Sequence, residues 1–181
     1  MKKIYTAFLL AVLSCYSAQI IIGDNVGTAP AAQKTSVLLE FAAGQNKGMI
    51  LPYLRVMPTE PTEGTIVLDA STATAARLKY YNGAWVDLSG QDADVTGALA
   101  AQPTISQAPE LPTAKAIIGA NSSLADGVLV LESSNKAMIL PTVADVQNIL
   151  SPSPGMMVYV NKTGAKRLAV YNGSKWSYWK P

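Results

Sequence analysis

A seven-residue phrase occurs twice in this chain, and any fold must account for both occurrences. The first reads Asn46-Lys47-Gly48-Met49-Ile50-Leu51-Pro52, the second Asn135-Lys136-Ala137-Met138-Ile139-Leu140-Pro141, 89 residues later. Other landmarks recur in the same order. Ile21-Ile22-Gly23-Asp24-Asn25 returns as Ile117-Ile118-Gly119-Ala120-Asn121, and Val37-Leu38-Leu39-Glu40 returns as Leu129-Val130-Leu131-Glu132. Tyr81-Asn82-Gly83-Ala84-Trp85 returns as Tyr171-Asn172-Gly173-Ser174-Lys175-Trp176. Ordered landmarks at a nearly constant offset mean an internal duplication, and a period of this kind is read before any single element.

The expected organisation is a leader at 1–18, a first β repeat at 19–89, a Pro/Ala-rich linker at 90–114 and a second β repeat at 115–181. Met1-Lys2-Lys3 followed by an uncharged run to Ser14 and small residues at Ser17-Ala18 has the layout of a secretory signal peptide. The apolar run is too short to span a bilayer. Cleavage after Ala18 is the favoured reading. Lipidation of Cys15 in Val12-Leu13-Ser14-Cys15 is the alternative. Cleavage after Ala18 removes the only cysteine, and the chain has no histidine. Ser-His-Asp and Cys-His arrangements and the common zinc ligand sets are then ruled out, so no cofactor or metal and no enzymatic activity are expected. It also removes Lys2 and Lys3, leaving basic and acidic residues balanced at 12 each. A neutral chain without a basic cluster is a poor nucleic-acid binder.

The local signals are those of a mainly β chain of two small antiparallel modules with hairpins. Short apolar runs end at Gly, Asn or Pro. Asn82-Gly83 between β-rich runs predicts a type I′ hairpin. Thr142–Leu150 predicts one short helix in the second copy, capped by Thr142, and one helical turn is expected around Val95–Ala101. Val37-Leu38-Leu39 and Val128-Leu129-Val130-Leu131 are apolar on both faces, so both should be covered on both sides. A copy of about 60 residues buries too little surface to stand alone. Either the copies pack on each other or several chains wind together, and the proline-rich linker favours the second.

The order Asn135-Lys136-Ala137-Met138-Ile139-Leu140-Pro141, then Pro152-Ser153-Pro154-Gly155-Met156-Met157-Val158-Tyr159-Val160-Asn161, then Leu168-Ala169-Val170-Tyr171-Asn172-Gly173 and Trp176 resembles a module of phage tail-fibre and head-fibre proteins, seen also in secreted surface proteins of Bacteroidetes-type bacteria. The first copy departs from it in its spacer and in Ile66-Val67-Leu68-Asp69. The resemblance implies an extracellular fibre-like β module, often trimeric, and no activity. The implied partners are other copies of the chain, with a surface glycan or cell-envelope protein as a target.

Candidate sites are few. Trp85, Trp176, Tyr178 and Trp179 could form an aromatic surface for sugar rings, although cross-strand packing is the readier explanation for aromatics beside a hairpin turn. Asp92-Ala93-Asp94-Val95-Thr96-Gly97 imitates the start of an EF-hand loop, but Pro103 stands where the bidentate Glu is required. Glu60 and Glu63 sit in a Pro-rich loop, Glu40 and Glu132 hold equivalent positions that suggest a structural role at a strand end, and each pair reads by default as surface charge. Asn121, Asn161 and Asn172 begin glycosylation sequons. The leading expectation is a secreted, non-enzymatic, adhesive fibre-like homotrimer. The alternative is a monomeric β-sandwich that binds carbohydrate through exposed aromatics.

Overall fold

A computed structural model describes residues 19–109, 111 and 113–179. The signal peptide and Cys15 lie outside the described residues. Strand content is 33% against 9% helix, so the class is mainly β. The first copy contains β1 (Ile20–Ile22), β2 (Val37–Phe41), β3 (Met49–Ile50), β4 (Tyr53–Leu54), β5 (Ile66–Asp69), β6 (Arg77–Tyr81) and β7 (Trp85–Asp87). A helix, α1 (Thr96–Ala101), follows. The second copy contains β8 (Ala116–Ile118), β9 (Leu129–Leu131), β10 (Ala137–Met138), β11 (Thr142–Val143), β12 (Met156–Val160), β13 (Arg167–Tyr171) and β14 (Trp176–Trp179).

The duplication is preserved in the strand pairing. In the first copy β4-β5-β6-β7 form one sheet; in the second, β11-β12-β13-β14 repeat its order. Tyr53 pairs with Leu68 as Thr142 pairs with Tyr159, both in parallel register, and the two following pairings in each sheet are antiparallel. The modules are therefore mixed rather than purely antiparallel. The connections at 55–65 and 144–155 carry the chain back to the start of the module before the next strand, so the strands they join run parallel.

The repeated phrase itself does something the sequence does not announce. Neither occurrence pairs with a strand of its own copy. β3 joins the second copy's sheet, antiparallel to β12 (Met49 opposite Met157, Ile50 opposite Met156). β10 joins the first copy's β1-β2 sheet, parallel to β2, and Ile139 N donates to Leu39 O. The two halves are thus interlocked within one chain, and the expectation that the linker holds them apart gives way to this exchange.

The cores follow from it. One cluster combines Leu51, Leu68, Leu78, Leu88, Val95 and Leu99 of the first half with Met157 and Val170 of the second. The other packs Val143, Val146 and Ile149 against Met156, Val158, Val160 and Ala169. Successive side chains of a strand face opposite ways, so β12 sends Met157 into the shared core and Met156, Val158 and Val160 into the other. This explains why Met156-Met157-Val158 shows no polar alternation: it is covered on both faces. The cover on the second face is a single 3-10 turn, Val146–Asn148, capped by Asp145, whose Oδ1 accepts from Gln147 N. A longer helix from Thr142 does not form, because Thr142 and Val143 are taken by pairing to β12.

The stretch after Ser89 is only partly slack. Ala93, Val95 and Leu99 are buried, Ala93 bridges Ala76, and the Arg55 guanidinium donates to Leu99 O at 2.6 Å. The helical turn expected there is α1.

Candidate interaction surface

The hairpins position the aromatic candidates. Tyr81 lies opposite Trp85, and Tyr171 opposite Trp176. Both pairs have ring centroids 5.2 Å apart; Tyr81 and Trp85 meet edge to face at 61°, as ring quadrupoles favour, and Tyr171 and Trp176 are tilted at 45°. The turns that bring them together differ from a type I′ turn. Three residues, Asn82 to Ala84, connect β6 to β7, and of the Asn-Gly pair only Gly83 takes a positive φ, 70°. In the second hairpin Asn172 is fully buried. Its Nδ2 donates to Gln91 O at 2.8 Å, and its Oδ1 accepts from Ser174 N and Lys175 N. A buried Asn so engaged is closed to glycosylation in the folded chain, whereas Asn121 and Asn161 are exposed.

The four aromatic candidates do not share one face. Trp85 belongs to the β4-β5-β6-β7 sheet. Trp176 and Tyr178 lie on one face of β14, and Trp179 on the other. Trp176 is half-buried against Tyr171. Tyr178 is 43% exposed and lies under the Arg167 guanidinium, 4.3 Å from the ring centroid. Trp179 is 46% exposed, yet its indole N–H is used inside the chain, donating to Leu88 O.

Equivalent positions of the two hairpins carry different chemistry on the same frame. Arg77 corresponds to Arg167. In the first hairpin Arg77 pairs with Asp87 at 2.6 Å and Asp92 at 2.7 Å. In the second, Tyr178 stands where Asp87 would be, and a cation–π contact replaces the ion pair. Burial alone would raise the Asp87 carboxyl, but hydrogen bonds from Ser89, Arg77 and Gly90 outweigh it and hold the group below its ordinary value. At Asp69 burial is likewise outweighed, here by Lys79 and Ser71. These carboxylates are committed to ion pairs.

The remaining carboxylates have separate roles. Asp92 is held by Arg77, and Asp94 accepts from Thr96 N at the start of α1. Among the described residues no cluster of three metal-ligating side chains occurs. Glu60 and Glu63 are exposed. Glu40 corrects the surface reading. It is fully buried, accepts from Ala29 N and the Gln19 side-chain amide, and lies 3.5 Å from the Lys34 ammonium. Gly27 packs directly on its carboxyl group, leaving no room for a Cβ. Its counterpart Glu132 is exposed. The signal for this asymmetry lay in the loop preceding β2, where Gly27 and Lys34 have no counterpart around Glu132.

The geometry offers surfaces and strand edges rather than an enclosed site, and it is here that comparison with known proteins bears. Residues 117–180 match the phage tail like trimerisation region. The match covers roughly a third of the chain, from β8 to the end of the last hairpin. It supports the tail-fibre resemblance and a fibre-like, self-associating structural role. Neither the curated proteins nor the solved structures gave a match.

Proposed function

We propose that the chain is a secreted, non-enzymatic, fibre-like structural or adhesive protein that assembles as a homotrimer and displays a surface-binding tip. The observation that carries the reading is the match of residues 117–180 to a phage tail like trimerisation region. The commitment of Asp69, Asp87, Asp92 and Asp145 to ion pairs supports a framework role for these groups rather than acid–base work. Secretion rests on the leader-like 1–18 segment, and the likeness to surface proteins of Bacteroidetes-type bacteria fits it. The target of the tip would be a surface glycan or a cell-envelope protein.

The deciding experiment is the solution mass of the chain by light scattering. Three times the chain mass is expected, and a concentration-independent monomer would overturn the assembly. Mass spectrometry of the exported protein tests the leader: an N-terminus at Gln19 is expected, and a lipid on Cys15 would instead mean membrane anchorage.

A second reading is favoured by one observation: the two copies already interlock within a single chain. A monomer could bind carbohydrate through Trp85, Trp176, Tyr178 or Trp179. Loss of glycan-array signal in a folded Trp176→Ala or Trp179→Ala variant would support it.

A further inference from the structure

The duplication allows each element to be compared with its own counterpart. In the first copy β2 lies between two strands, with β1 on one side and β10 on the other. Its residues Val37, Leu38 and Leu39 are buried, Val37 to 2% exposure. In the second copy Leu129, Val130 and Leu131 form β9, and pairing to β8 sets Leu129 opposite Ala116 as Leu39 is set opposite Ile20. Among the described residues β9 has β8 as its one strand partner. Leu129, in the register position of the fully buried Leu39, is 44% exposed. A similar apolar strand is therefore enclosed in one copy and, at Leu129, open in the other, where the third strand is missing.

The side chains give the open face its character. β8 and β9 are parallel, with Ala116 opposite Leu129, Ile117 opposite Val130 and Ile118 opposite Leu131. Alternation places Ala116, Ile118, Leu129 and Leu131 on one face, and all four are aliphatic. Val128, 67% exposed, precedes Leu129 and faces the other way, and Leu124, in the connection from β8 to β9, is fully exposed. An unpaired strand edge flanked by apolar side chains is a template for pairing with another chain, and contiguous exposed apolar surface of a few hundred Å² marks an interaction site.

We propose that the open edge and face of the β8-β9 sheet is the surface on which a second copy of this chain docks. This rests on the trimeric reading above and locates its contact. Two observations name the occupant. The strand that closes β2 is the Ala137–Met138 strand of the repeated phrase, donated by the other copy, so this edge type takes its partner from another repeat of the same sequence; a neighbouring protomer brings such repeats. The match to a trimerisation region begins at Ile117, within β8, so the sheet left open in the single chain falls inside the segment matched to self-association. The patch supplies part of the roughly 800 Å² per partner that a stable contact buries.

The test uses the full chain and five substitutions. Leu129→Glu and Ala116→Glu should convert the trimer to monomer with an unchanged far-UV circular dichroism spectrum. Val56→Glu, at a more exposed apolar residue of the first copy, should leave the trimer intact. Leu124→Cys in a Cys15→Ser background, labelled with pyrene, should give excimer emission that disappears when Leu129→Glu is added. If the Leu129→Glu and Ala116→Glu chains both remain trimeric, the contact lies elsewhere and this inference fails while the trimer stands. If the unsubstituted chain is a monomer, the trimeric reading fails and this inference with it.

Discussion

The indole N–H of Trp179 donates to the carbonyl oxygen of Leu88 at 2.7 Å, and these two residues occupy the same position in their respective hairpins. Two residues earlier, the Ser177 hydroxyl donates to Ser89 O. The ends of the duplicated hairpins therefore meet each other. The contact accounts for an exposed terminal tryptophan without invoking a ligand, since one edge of the ring is wet and the other is bonded.

Trp179→Phe tests that contact. It keeps an aromatic ring but removes the donor, so stability should fall by about 1 kcal/mol, the net worth of one hydrogen bond. Trp85→Phe, at a ring with a cross-strand Tyr81 partner, should cost less. Urea denaturation of both variants measures the difference, and equal midpoints would mean the interhairpin bond contributes nothing in solution.

The single difference inside the repeated phrase, Gly48 against Ala137, is explained by where each strand goes. Gly48 lies against β12, and a Cβ there would come within 2.7 Å of Val158 Cγ1 and closer still to the Met156 side chain. Ala137 sits beside β2 and is exposed. Gly48→Ala should destabilise by about 1–3 kcal/mol through overpacking. Ala137→Gly should cost only about 0.5–1 kcal/mol, the backbone entropy of a glycine. Thermal melts of the two single variants decide it, and a harmless Gly48→Ala would argue against the β3-β12 pairing.

The two Asn-Gly turns should respond unequally for a similar reason. Asn172→Ala removes three hydrogen bonds and leaves Gln91 O without its donor, which should cost about 1–3 kcal/mol. Asn82 is exposed, and its alanine variant should remain within about 0.5 kcal/mol of the parent. Comparable losses at the two positions would show that turn propensity, rather than the Gln91 contact, is what Asn172 supplies.

These cases show what the sequence exposes and what it conceals. The duplication, the mainly β class and the hairpin aromatics were legible because each depends on residues close together in the chain. The exchange of β3 and β10 was not, because it is made by backbone bonds between segments about 100 residues apart and two-residue strands carry no periodicity. Gly48 was the one visible trace of it. The helix expected from Thr142 shrank to a 3-10 turn because pairing to β12 outcompeted local capping. Glu40 was misread because identical neighbours in the strand, Leu39 and Leu131, say nothing about the loop that folds over one carboxylate and not the other. Of the aromatic candidates, their proximity to turns was legible, but not their division between two sheets and two faces of β14.

Acid should weaken the fold through the first hairpin. The Asp69 and Asp87 carboxyls are held below their ordinary value of 3.8 in the folded chain. A carboxyl depressed by folding contributes stability that is fully present above its unfolded value and is lost as pH falls through 3.8 toward the folded value. Denaturation midpoints should therefore be flat near neutrality and decline as pH drops through that range. Asp69→Asn should lower stability at pH 7 by removing the Lys79 pair, at 2.7 Å, while making the remaining acid dependence shallower. Asp87→Asn should do the same through Arg77. Because these groups are partly solvated, added salt should shrink both effects. Midpoints measured from pH 2 to 7 for the parent and the two variants provide the check. Parallel curves would mean that neither carboxylate is linked to folding, and that the acid sensitivity arises from other groups.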